Sequence, residues 1–175
     1  MFGLGSHKFD IAVYIANTPA TPEYQELTQV SALTSGEITA IGQACGNGWR
    51  KVFNVYAKLL HALPKEHFSY ANLTSTWQQY RDKYLLQSNS RTALLFSPPC
   101  INSENKSLHV ICGRTYAKQL INNGDLKAQL TWLDEEFAID KKNRVIVCPY
   151  FDYRQLSNIK ISRLVVMLTA LRCEQ

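Results

Sequence analysis

The side chains with the widest chemical range fall in three short segments. Ala16-Asn17-Thr18-Pro19 offers an amide with one acceptor and two donors, beside the Thr18 hydroxyl. Such an amide orients a water or holds the edge of a base. Asparagine ahead of Thr18-Pro19 equally suits a turn held by local hydrogen bonds. In Cys112-Gly113-Arg114-Thr115-Tyr116, the glycine permits a tight strand-to-helix turn, and the free N–H groups of a helix start attract anions. Arg114 would strengthen that grip on a phosphate or carboxylate; the alternative is a purely structural turn. The third segment runs from Pro149 to Asn158 and holds Tyr150, Phe151, Asp152, Tyr153, Arg154, Gln155, Ser157 and Asn158. Rings beside an arginine stack on a planar ligand such as a base, and they also make hot spots for a protein partner. Folded back onto the sheet, the same rings would form a lid.

Thiol chemistry is the next possibility, since the chain has five cysteines, at Cys45, Cys100, Cys112, Cys148 and Cys173. Cys112 precedes a helix start, a setting that lowers a thiol's pKa. A nucleophile also needs a base. His109 lies three residues upstream in the same strand, so its side chain faces the other way. His61 and His67 bracket the end of a long helix with no evident link to a cysteine. Cys112 and Cys148 therefore read as small buried hydrophobes at strand ends.

These segments depend on the elements that carry them. Short, nearly all-apolar runs at Phe9–Ala16, Thr92–Phe96, Leu108–Cys112 and Arg144–Cys148 read as strands buried on both faces. Between them, apolar residues recur at helical spacing. The clearest case runs from Trp49 to Leu63 and stops at Pro64. Other helices are expected over Ser35–Cys45, from Thr74, from Gly113, from Asp125 and from Ser157. Asp134-Glu135-Glu136 then form the exposed end of the Asp125 helix. Alternation of strands and helices predicts a three-layer α/β sandwich with a mostly parallel four-stranded sheet flanked by helices. One junction stays open: Ser97–Ser107 has no helical period, so the strands around it are either an antiparallel pair or joined by a loop crossover. Ligands in such sheets bind beyond the carboxyl ends of the strands, which selects four loops: Asn17–Pro22, Ser97–Asn102, Cys112–Thr115 and Pro149–Asn158.

The order of elements resembles the uracil-DNA glycosylase superfamily, in particular its small mismatch-specific members, which have a four-stranded parallel sheet flanked by helices. The likeness rests on Ala16-Asn17-Thr18-Pro19 after the first strand, on Val110-Ile111-Cys112-Gly113-Arg114 at the third, and on the loop ending Leu156-Ser157-Asn158 after the fourth. The resemblance implies that Asn17 positions the attacking water and that Phe96 or Tyr24 stacks on the base. It makes Tyr150–Asn158 the loop facing DNA. The chain departs from the family's pattern in having no glycine before Asn17 and no His-Pro-Ser after the fourth strand.

Composition sets the outer bounds. A chain of 175 residues with 46% hydrophobic and 19% charged residues fits one domain, with residues 1–8 as a loose arm. A net charge of +5 favours an anionic partner, yet the basic residues are dispersed, with short clusters at Arg50-Lys51 and Lys141–Arg144. DNA, RNA or a nucleotide is the expected partner, with a protein at Tyr150–Tyr153 as the alternative. No dinucleotide or P-loop glycine motif and no C-x-x-C pair occurs, so no cofactor, disulfide or metal site is expected. Nor does any window approach the ~18 apolar residues of a membrane span, and a cytoplasmic setting with no membrane contact is the expectation.

Overall fold

The computed structural model describes residues 1–102 and 104–174. Its strands are β1 (Gly3–Gly5), β2 (Ile11–Tyr14), β3 (Val30–Ser31), β4 (Thr92–Leu95), β5 (Leu108–Cys112), β6 (Thr131–Trp132), β7 (Ala138–Asp140) and β8 (Val145–Cys148). The helices are α1 (Pro22–Gln25), α2 (Glu37–Cys45), α3 (Asn47–Ala62), α4 (Trp77–Lys83), α5 (Arg114–Asn122) and α6 (Asn158–Cys173), with a 3-10 turn at Tyr70–Asn72.

Every residue of β2, β4, β5 and β8 is buried, as strands without a polar face must be. These four lie side by side in the order β4-β2-β5-β8, and all are parallel. The sheet does not end there. It is a mixed sheet of eight strands in the order β3-β1-β4-β2-β5-β8-β7-β6, which corrects the expected four. β1 runs antiparallel to β4, and β7 antiparallel to β8. The added strands are two or three residues long, too short to establish a period of two.

Two sequence expectations fail for local reasons. Residues 1–8 are not a loose arm, because Gly3–Gly5 pairs along β4 with Leu4 fully buried. The glycines that suggested slack make this docking possible: a Cβ on Gly5 would sit 2.2 Å from the Thr92 carbonyl oxygen. No helix follows Asp125 either. Residues 125–130 run irregularly, and β6 follows, pairing antiparallel with β7. Leu126 is buried while Leu133 is half exposed, so they share no helix face. Asp140 holds this path by accepting the Gln129 N–H at 2.7 Å. Asp134-Glu135-Glu136 are therefore a turn between strands, with Asp134 Oδ1 accepting from the Glu136 and Phe137 N–H groups, each at 2.8 Å.

The two faces of the sheet are covered unequally. Ile11, Val13, Leu94, Val110 and Ile146 face a large core built on α3 and α6, where Val52, Phe53, Tyr56, Leu60, Leu164 and Leu168 are buried. Each such side chain contributes about 1.5–3 kcal/mol on leaving water, which makes this face the main source of stability. Ala12, Tyr14, Ile111, Val145 and Val147 face a smaller cluster closed by α5 and by Leu126. The open junction is resolved in this asymmetry: β4 and β5 both pair in parallel with β2, which lies between them, and the described residues of the segment that connects them form no helix. Its Ile101 packs on the thinner face, in the place of a crossover helix.

This connectivity fixes where a ligand has room. From β2 the chain leaves over the thicker face and returns at β4; from β5 it leaves over the thinner face through α5 and returns at β8. The two excursions part between β2 and β5, and a crevice opens at their carboxyl ends.

Candidate ligand site at the strand ends

A cavity of about 500 Å³ occupies that crevice, with Asn17, Gly113, Arg114, Tyr116, Glu135 and Tyr150 among its lining residues. Asn17 follows β2 by three residues and is exposed, and its Nδ2 donates to the Tyr150 hydroxyl at 3.2 Å. Two loops are thereby tied across the mouth, and the Asn17 carbonyl oxygen is left to accept. Burial holds the phenols of Tyr150 and Tyr116 above their ordinary pKa, so both keep a proton to donate at neutral pH.

Gly113 joins β5 to α5 at φ +104°, a region glycine enters without strain. Its N–H donates to the Cys148 carbonyl at 2.8 Å, which anchors the turn to β8. The next three N–H groups, of Arg114, Thr115 and Tyr116, have no intrahelical acceptor, and no side chain caps the helix. The start of α5 thus presents donors and a positive dipole end at the cavity. Arg114 Nη1 donates to the Glu135 carbonyl at 3.2 Å, so the β6–β7 turn closes one wall. Glu136 pairs with Lys160 at 2.8 Å, whereas the Glu135 carboxylate has no ion-pair partner among the described residues. Hydrogen-bond donors and acidic residues therefore line the same cavity. That combination suits a ligand carrying both an acidic group and ring N–H donors.

Cys112 also borders the cavity, but burial pushes its thiol up to about 12, and its Sγ accepts the Phe151 N–H at 3.2 Å. It is a thiol, not a thiolate. Cys148 is fully buried and is likewise raised by burial.

The other candidate residues lie elsewhere. Asp152 is held away from the cavity, because Arg154 Nη2 donates to its Oδ2 at 2.9 Å and Lys51 Nζ at 3.2 Å. The Arg154 contact, more than any other, holds the carboxyl well below the usual range. Arg154 is spent on this bridge, and Tyr153 lies outside with Lys51 Nζ 5.4 Å from its ring centre. Phe96 is buried edge-on against Trp49, with centroids 6.1 Å apart, and Tyr24 is buried with its hydroxyl donating to Glu37. Neither reaches the cavity to stack on a base. Ser157 and Asn158 begin α6, where Asn158 borders a separate groove with Lys58 and Trp77, and Thr18 is half-buried outside the lining. Thr115, Gln119, Glu135 and Glu136 line the cavity without having been singled out as site residues. For Glu135 and Glu136 the available signal was an Asp-Glu-Glu run between Trp132 and Phe137, with Asp134 placed for an Asx turn.

No helix among the described residues is long and apolar enough to cross a membrane. No group of three or more His, Cys, Asp and Glu among them is arranged to hold a metal ion. Residues 2–169 match a family of unknown function, DUF6942, and the chain belongs to that family. Neither a curated protein nor a solved structure matches it.

Proposed function

We propose that the chain binds a nucleobase or nucleotide in the cavity between the carboxyl ends of β2 and β5, in an arrangement like that of the uracil-DNA glycosylase superfamily. The observation that carries this reading is that Asn17, Tyr150, Arg114 and the open start of α5 share one cavity at the point where the chain's excursions part. In this reading the α5 N–H groups and Arg114 take a phosphate or the acceptor edge of a base. Asn17 and Glu135 meet its donor edge, and Tyr150 supplies an aromatic wall. Four central parallel strands flanked by helices, and a net charge of +5, agree with it. A partner protein at Tyr150–Tyr153 has less support, since Phe151 is fully buried and Tyr153 is the one strongly exposed ring.

Calorimetric titration with uracil and with uridine monophosphate tests the reading. Saturable binding is expected, weakened about tenfold, or ~1.4 kcal/mol, by Arg114→Ala. Asn17→Ala is expected to fold normally and bind more weakly. Incubation with uracil-containing oligonucleotides separates binding from catalysis: excision lost in Asn17→Ala would make this amide a catalytic residue. Binding without excision leaves a nucleotide-binding protein.

A further inference from the structure

A second cavity, of about 520 Å³, lies at the opposite end of the sheet, where Asp10, Ser107 and Arg91 lead into β2, β5 and β4. Four cations border it, Lys8, Arg91, Lys106 and Arg172, against one carboxylate, Asp10. Arg91 neutralises that carboxylate through hydrogen bonds of 2.7 and 2.5 Å. The ammonium groups of Lys8 and Lys106 and the Arg172 guanidinium have no carboxylate partner among the described residues, and Arg172 rests on the Phe68 ring at 5.6 Å. The cavity is therefore electropositive.

His109 lines the same cavity, only 2% exposed, on the thinner face of the sheet. Its Nδ1 lies 2.9 Å from the Tyr14 hydroxyl, and its Nε2 is buried with no partner. Burial lowers the imidazole to a pKa of about 4, so the ring is neutral at pH 7. Tyr14 keeps its proton, raised well above the ordinary phenol value by burial, and Nδ1 is the one acceptor within its reach among the described residues. With Tyr14 donating to Nδ1, the ring proton sits on Nε2 as an unsatisfied donor. A buried donor without an acceptor leaves its desolvation cost unrecovered until an acceptor arrives. Phe9 packs edge-on against the ring, with centroids 6.5 Å apart, and is itself only half-buried.

We propose that this cavity is a second ligand site, for a small phosphate monoester, in which Lys8, Lys106 and Arg172 take the phosphate and His109 Nε2–H donates to an oxygen of the same molecule. Phe9 turns aside to admit it. The Tyr14–His109 pair orients the donor, and the three cations set the preference for a doubly charged head group.

The test is an NMR titration of the full chain with phenyl phosphate and, separately, with inorganic phosphate, reading the His109 ring nitrogens. A saturable shift of Nε2 with phenyl phosphate is expected, with an apparent affinity at least tenfold weaker in the double variant Lys8→Glu, Lys106→Glu. His109→Gln, which keeps an N–H donor, should retain more of the affinity than His109→Phe. Arg114→Ala should leave this titration unchanged, which separates the site from the cavity at the carboxyl ends. Equal affinity for inorganic phosphate would overturn the monoester assignment. The proposal also fails if Nε2 does not shift, or if binding survives charge reversal.

Discussion

At the scale of single residues, burial decides which candidate groups are chemically available. Cys112 carries the thiol nearest the cavity, yet its pKa of about 12 leaves almost no thiolate at pH 8. Iodoacetamide at that pH should modify exposed Cys100 and Cys173 and spare Cys112 and Cys148, as read by peptide mass spectrometry. Alkylation of Cys112 in the native protein would contradict the burial argument. Asp152 illustrates the reverse error of sequence reading: an acid in a loop full of aromatics suggests ligand recognition, but its partners make it a clamp between that loop and α3. Its side chain is 11% exposed, so the charged hydrogen bonds count. Asp152→Ala should cost about 2 kcal/mol in urea unfolding at pH 7. The carboxyl's pKa is lower folded than unfolded, so its contribution is complete above about pH 4 and fades as pH falls toward the folded value. The difference between wild type and variant should therefore shrink on acidification.

At the scale of elements, the sequence was legible wherever burial imposed a pattern. The runs Ile11–Tyr14 and Val145–Cys148 are apolar because both sheet faces are covered, and α3 is periodic because one stripe meets the core. The second clear helix also formed, though Thr76, not Thr74, caps it, accepting the Gln79 N–H at 3.2 Å. Legibility failed where backbone geometry governs. Gly3 and Gly5 look like slack in a sequence and act as close-packed strand residues in space. Leu126 and Leu130 stand at helical spacing, but Asp140, in a strand no periodicity announced, directs that chain instead. Gly113 is the element-scale test at the candidate site. A Cβ there would meet only Tyr150, at 4.0 Å, so space is adequate and the cost lies in φ. Gly113→Ala should destabilise by about 1–2 kcal/mol and weaken ligand binding, because relief of strain turns the α5 start away from the cavity. Thermal unfolding and the uridine monophosphate titration together check both effects. An unchanged melting temperature would contradict the argument.

At the scale of the whole molecule, a sheet covered by two long helices on one face and one short helix on the other leaves room at both strand ends of the thinner face. The carboxyl-end cavity was legible in outline, since Asn17, Arg114 and Tyr150 all follow strands, but the wall made by Glu135 and Glu136 depended on a strand pair that sequence did not announce. In the proposed function a nucleotide occupies this cavity with its acidic end on the start of α5. An amide-shift map on adding uridine monophosphate tests it most directly. Saturable shifts are expected at Arg114, Thr115 and Tyr116, with the Asn17 side-chain amide moving at the same concentrations. Saturable binding that leaves these four sets of signals in place, or no binding at millimolar nucleotide, would contradict it.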